Sequence, residues 1–136
     1  MSKSYGNSID IFAEGKPLKK AVMSIVTDSS TVTDPKNPDK CTVFALYSLF
    51  ATEEEKVTQA ARYRAGGMGW GDAKAALLEK IDAYFRPFRE RRKELAKNLD
   101  YVEEALRKGA RRARVEAQAT MKLVREAVGM KPERVV

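Results

Sequence analysis

Seven small or apolar residues near the C-terminal end, Leu106, Ala110, Ala113, Ala117, Thr120, Val124 and Ala127, recur at alternating intervals of four and three. At 3.6 residues per turn this spacing puts them all on one face of an α-helix. Asn98 or Asp100 can open that helix, and Gly129 with Pro132 forms a stop signal, which gives a helix of about 30 residues. A helix this long with one apolar face needs other helices to pack on. The expected fold is therefore all-α, a helical bundle with a long C-terminal helix. Small residues in the seam, with Gly109 beside them, would let a second helix approach closely, so Ala113→Leu is expected to overpack it. Arg107, Lys108, Arg111, Arg112 and Arg114 are then left for the outside.

The remainder of the chain also reads as helices and turns. Tyr5-Gly6-Asn7 has turn chemistry, and Ile9-Asp10-Ile11-Phe12 alternates weakly enough to allow a short strand. Pro17 suits a first helical position, with Leu18, Val22, Ile25 and Val26 on one face of a helix ending near Thr27-Asp28. From Asp28 to Lys40 the Ser, Asp-Pro and Asn-Pro content marks a surface loop. Thr42 to Phe50 is apolar on nearly all sides, as expected of a central helix. Thr52 followed by Glu55 matches a capping box for a helix reaching about Ala65. The acidic run Glu53-Glu54-Glu55 then suits the positive end of that helix better than it suits a metal. Gly66 to Gly71 interrupts the pattern. Asp72 can cap a long amphipathic helix carrying Leu77, Ile81, Tyr84, Phe85, Phe88 and Leu95, with Pro87 expected to kink it.

Composition removes several classes of function. With no histidine and the single Cys41, zinc sites, internal disulfides and Ser-His or Cys-His catalysis are all excluded, and no metal site is expected. Cys41 itself reads as a small apolar residue. No apolar run approaches the ~20 residues of a membrane span, and the N-terminal residues do not resemble a secretory signal. The cytoplasm is the expected location. Lys and Arg number 26 against 19 Asp and Glu, for a net charge of +7. Between Arg86 and Arg114 stand eleven basic and five acidic residues, a local excess of six that is nearly the whole net charge. That favours a phosphate-rich partner, although a solvated Arg/Glu helix face would look the same.

The run Met1-Ser2-Lys3-Ser4-Tyr5-Gly6-Asn7 carries the first specific signal. It resembles the Lys-Met-Ser-Lys-Ser loop of class I aminoacyl-tRNA synthetases, lacking the first lysine. Further stretches extend the likeness: Ile25 to Ser30, Asp39 to Tyr47, Ala65 to Lys74, Tyr84 to Arg92, and the ending from Ala119-Thr120 to Val128-Gly129. In order and spacing this set resembles bacterial tryptophanyl-tRNA synthetases over essentially the whole chain. The resemblance implies that residues 1–15 are the end of the ATP signature loop and a linker, and that 16–136 form the C-terminal helical, anticodon-side domain. It further implies that Met1, Ser2, Lys3 and Ser4 contact ATP, with Lys3 stabilising charge on the pyrophosphate as the tryptophanyl adenylate forms. The parent enzyme would use ATP with Mg2+, bind tryptophan tRNA and form a homodimer. The tryptophan pocket and nucleotide-binding fold belong to an N-terminal catalytic domain upstream, so this chain alone is expected to be catalytically incomplete and to need no cofactor.

Arg107, Lys108, Arg111 and Arg112 are the candidate phosphate contacts, because they line the helix side opposite the apolar seam. Gly66, Gly67, Gly69 and Gly71 suit a helix-to-helix turn better than a phosphate cradle, since no Lys-Ser/Thr follows at the required spacing. Trp70, Tyr84, Phe85, Phe88 and Met121 sit at helical spacing and are expected to pack in the core rather than stack on bases. Two alternatives stay open. One is an independent helical nucleic-acid-binding module; the other is a helical oligomerisation or adaptor module that uses the small-residue seam.

Overall fold

The computed structural model describes residues 5–130. Its elements are α1 (Gly15–Met23), a 3-10 turn (Pro38–Lys40), α2 (Thr42–Ser48), α3 (Glu53–Ala65), α4 (Trp70–Ala96) and α5 (Leu99–Ala127). Among the described residues there is no strand, as the all-α expectation required. Two compact units divide the chain, one up to Glu90 and one from Arg91 onward, and the division falls within α4.

The first unit holds the core. Leu18 and Val22 of α1, Val43 and Tyr47 of α2, Tyr63 of α3, and Ala73, Leu77 and Ile81 of α4 are buried together with Cys41 and Met68. Helix α3 starts as its sequence predicts. The Thr52 hydroxyl accepts from the Glu55 amide at 3.3 Å, and the Glu55 carboxylate accepts from the Thr52 amide at 2.9 Å. Two otherwise unpaired amides are thereby satisfied, and Glu55 also pairs with Lys80 of α4, tying the two helices. Between them, Gly66 has φ +75°, and a Cβ on it would lie 2.6 Å from the carbonyl oxygen of Thr33. Only glycine fits a backbone packed that closely in the left-handed region.

Several local expectations are corrected. Ile9 to Phe12 forms a turn, not a strand, because the Asp10 side chain accepts from the Phe12 amide at 2.9 Å and the Asp10 carbonyl from the Ala13 amide at 3.0 Å. Helix α1 begins at Gly15 and ends at Met23, so Val26 is exposed instead of facing the core. Pro17 is tolerated within the first turn because the first amides of a helix need no intrahelical acceptor. Helix α4 begins at Trp70, two residues before Asp72, whose carboxylate reaches back to the Gly69 amide at 3.2 Å. It continues through Pro87 to Ala96.

The segment from Asp28 to Lys40 is more than a surface loop, since Lys36 is only 4% exposed and Pro38 is buried. The Lys36 amide donates to the Tyr63 carbonyl at 2.7 Å. Its ammonium donates to the carbonyls of Thr31 at 2.8 Å and Asp34 at 3.2 Å, and lies 5.4 Å from the Trp70 ring centre. A buried ammonium is tolerable only when it is satisfied in this way.

The second unit contains α5. Asn98 caps it, accepting from the Tyr101 amide at 3.2 Å, as one of the two expected starts. At the other end Gly129, at φ +72°, turns the chain so that the Met130 amide donates to the Arg125 carbonyl at 2.8 Å, a Schellman-type stop. The expected length and bounds hold. Packing through the seam does not: no residue of α5 is buried, and Leu106 is 68% exposed. Periodicity shows which face is apolar but not what covers it, so the seam expectation for Ala113 fails among the described residues.

Two glycine substitutions should therefore have opposite signs. Gly66→Ala meets the Thr33 carbonyl at a positive φ and is expected to destabilise the chain by about 1–3 kcal/mol. Gly109→Ala, mid-helix with open space around it, is expected to stabilise α5 by about 0.5–1 kcal/mol. Urea unfolding followed by circular dichroism checks both.

Candidate nucleic-acid interface and signature-segment anchor

Met1, Ser2, Lys3 and Ser4 lie outside the described residues, so the structure bears on the chain that leaves them. Ile9 and Ala13 of that chain pack against the core, with the Asp10 turn and Ile11 between them. Arg89 of α4 takes the Ile11 carbonyl. Its Nε donates to Ile11 at 2.9 Å across 78 positions of sequence, and its Nη1 donates to the Asp82 carboxylate at 2.7 Å. The other oxygen of Asp82 accepts from Arg86 at 3.0 Å. Arg86, and then Arg89, hold the Asp82 carboxyl below its ordinary value against the opposing effect of desolvation.

Arg89 is 3% exposed, and its remaining Nη2 has no acceptor among the described residues. In the sequence Arg89 is merely one basic residue of a charged stretch. The available signal was spacing, since Asp82, Arg86 and Arg89 stand four and then three apart, on one face of α4.

The four candidate phosphate contacts all lie on α5 and are exposed. By helical geometry Arg107, Arg111 and the neighbouring Arg114 fall within roughly 60° of one another, while Lys108 and Arg112 stand about 100° farther round. Arg107 is partly neutralised by Glu103 at 2.9 Å, an i,i+4 pair. Lys108, Arg111 and Arg112 have no ion pair among the described residues. Like charges four apart, as in Arg107–Arg111 and Lys108–Arg112, repel within the helix, so this face gains from a polyanion alongside it. The helix surface around Gly109, Arg112, Ala113, Val115 and Glu116 forms only an open depression lined by this one helix. It suits a surface ligand rather than an enclosed small molecule.

The aromatic residues divide. Trp70 and Phe85 pack against the core as expected, with the Trp70 ring 6.1 Å from that of Tyr63. Tyr84 and Phe88 do not, being 51% and 54% exposed with ring centres 6.0 Å apart, and Met121 is exposed as well. Helical spacing brought Tyr84 and Phe88 onto one face of α4 without bringing them under cover. Cys41 is buried, with its sulfur accepting from the Phe44 amide at 3.4 Å to open α2, in keeping with a small apolar reading. No helix among the described residues is long and apolar enough to cross a membrane.

Comparison with known proteins supplies the class. No protein-family model matches the sequence. A tryptophan–tRNA ligase of Rhodopirellula baltica is 45% identical over 131 residues, covering 96% of this chain and 41% of that protein. One of Fusobacterium nucleatum is 45% identical over 130 residues, covering 96% and 40%. The crystal structure of tryptophanyl-tRNA synthetase from Campylobacter jejuni, complexed with ADP and tryptophan, superposes with a TM-score of 0.85 at 42% identity, over 96% of this chain and 41% of that one.

Fold and sequence thus resemble a helical segment of aminoacyl-tRNA ligases. Over 96% of its length the chain is similar to tryptophan–tRNA ligases, matching their C-terminal part. It spans about two fifths of the length of the curated relatives it matches.

The charge network of the first unit makes a pH prediction. Asp82, held low by Arg86 and Arg89, is joined by Asp28, held low by Ser30, by Asp34, held low by Thr31, and by Glu55, held low by Lys80 and Thr52. A depressed carboxyl stabilises the fold above its unfolded value, about 4, and loses that contribution as pH falls through the lower folded value. With no histidine to titrate, the melting temperature is expected to be flat from about pH 5.5 to 7 and to fall steadily below about pH 4. Calorimetric scans across that range check it.

Proposed function

We propose that this chain serves an ATP-dependent ligase that esterifies tryptophan to its tRNA, contributing the edge of the ATP site and a tRNA-facing helix. The observation that carries the reading is 45% identity to tryptophan–tRNA ligases across 96% of the chain. The signature segment Met1-Ser2-Lys3-Ser4 contacts ATP in this reading, and the Lys3 ammonium stabilises the negative charge that develops on the departing pyrophosphate. ATP with Mg2+ supplies the activated phosphate for adenylate formation. Tryptophan is held by the remainder of the intact enzyme, which pairs as a homodimer and works in the cytoplasm. The exposed face of α5 carries tRNA phosphates on Arg107, Lys108, Arg111 and Arg112, and the anticodon lies on the helical side.

One observation favours a second reading, an oligomerisation or adaptor module. The apolar face of α5 is exposed along its length, as a partner-binding helix would be.

Two outcomes follow from the first reading. The chain alone is expected to show no tryptophan-dependent ATP–pyrophosphate exchange, because Lys3 by itself orients neither reactant. In the intact ligase Lys3→Ala is expected to lower the exchange rate more than ATP affinity. Robust exchange by the isolated chain would overturn the division of labour.

A cation that binds a phosphate releases counterions, so removing one such cation is expected to reduce the salt slope of RNA binding by about 0.7–0.9. Arg111→Glu with Arg112→Glu is therefore expected to weaken binding strongly at low salt without unfolding the chain. Salt titrations with tryptophan tRNA, an anticodon-substituted version and an unrelated duplex measure it. Unchanged affinity and slope would remove this face and leave the adaptor reading; equal binding to all three would mark a generic nucleic-acid module.

A further inference from the structure

We propose that α1 carries a second RNA-binding face, on which Lys16, Lys19 and Lys20 bind nucleic-acid phosphates independently of α5. The inference rests on the tRNA-facing reading given above and adds to it a contact surface in the first unit. Nine residues, Gly15–Met23, contain three lysines and no acidic residue. All three lysines are exposed, and none has an ion pair or a side-chain hydrogen bond among the described residues. By helical geometry they fall within roughly 100° of one another, with the buried Leu18 and Val22 on the opposite side.

That opposite side is held firmly. Leu18 and Val22 are 1% and 0% exposed in the core, and the Lys74 ammonium of α4 donates to the Met23 carbonyl at 3.0 Å, fastening the end of α1. The lysines therefore stand on a fixed surface. Elsewhere in the chain, basic residues are interleaved with acids that pair with them, as Arg86 does with Asp82, Arg91 with Glu94 and Arg107 with Glu103. A face that meets only water can be built that way. Helix α1 is not: Lys16 and Lys20, four apart, repel each other, and Lys16 in the first turn also opposes the helix dipole. Both effects weaken the isolated helix, and a polyanion alongside reverses them.

The side-chain chemistry selects phosphate. A lysine ammonium is a compact point charge that meets a phosphate oxygen from many directions, whereas a planar carboxylate is gripped best by an arginine fork. Three lysines without an arginine suit a run of phosphates better than an acidic protein surface. The apolar side of α1 is already occupied in the core, so none is left to enter a lipid surface.

The test replaces Lys16→Gln, Lys19→Gln and Lys20→Gln together in the 136-residue chain. Glutamine preserves helix propensity while removing charge, and circular dichroism checks the fold. Affinity for tryptophan tRNA at low salt is expected to fall by at least about tenfold, and the salt slope of binding by about 2–3. The loss should be equal for an anticodon-substituted tRNA and an unrelated duplex, since phosphates carry no sequence. Arginine at the same three positions should keep both affinity and slope. In the wild-type chain, bound tRNA should slow acetylation of Lys16, Lys19 and Lys20 by acetic anhydride several-fold, read by mass spectrometry; this measurement decides the matter if the glutamine variant fails to fold.

Unchanged affinity and slope in a folded glutamine variant, or acetylation indifferent to bound tRNA, would overturn the proposal while leaving the α5 face standing. Lysine-dependent binding to phosphatidylserine vesicles without lysine-dependent RNA binding would overturn it too, and assign the face to lipid. A wild-type chain that binds no tRNA would refute the tRNA-facing reading itself, and the inference with it.

Discussion

Tyr63 joins the pieces of the first unit, and the unit depends on that side chain staying buried. Its carbonyl receives the Lys36 amide, its ring meets Phe44 edge-on at 5.3 Å and Trp70 at 6.1 Å, and its hydroxyl sits 3.9 Å from the Cys41 sulfur. Burial pushes its phenol well above the ordinary range, so the ring stays neutral and its hydroxyl protonated. Through one residue the loop after Asp28, the start of α2, the end of α3 and the start of α4 share a single environment. The close passage of Thr33 over Gly66 follows from the same closure, because Lys36 pins the loop to α3 three residues later. Arg89 acts analogously farther along α4, with a cation reaching from a helix to a backbone carbonyl of a distant turn.

Features whose cause lies within a few residues were legible in the sequence. The Thr52–Glu55 box, the Asn98 cap and the Gly129 stop are each completed by atoms of one helical turn, and each is present as expected. The start of α1 was not legible, because a proline is compatible with any position of the first turn. Lys36 gave no local sign of burial, since the acceptors of its ammonium are loop carbonyls that come together only once the loop has folded. Arg89 looked like its neighbours Arg91 and Arg92 for the same reason: its acceptor is 78 positions away.

The basic stretch is less uniform than its composition suggests. Arg86 and Arg89 serve Asp82, Arg91 pairs with Glu94 at 3.0 Å, and Arg107 pairs with Glu103. Lys108, Arg111 and Arg112 remain as cations with no ion pair among the described residues, and they cluster on α5. A net excess of six is thus divided between charges committed to the fold and charges offered to solvent. Only the second kind can release counterions on binding a phosphate backbone, so a count over the whole stretch overstates the interface.

Helix α5 persists without burial for reasons contained in its own composition. Isolated helices are marginal below about 12–15 residues, and this one has 29, rich in alanine, arginine, glutamate and leucine. Asp100 lies in its first turn and Arg125 in its last, each favourably placed in the helix dipole, and both ends are capped. Most of the seam is alanine, whose exposure sacrifices little hydrophobic burial, and the larger Leu106 and Val124 are widely separated along it. The pattern that reads as a packing seam is therefore equally a recipe for a helix that stands with its apolar side open. Periodicity alone could not distinguish the two, because the alanines that allow close approach of a neighbour are the residues that make its absence tolerable.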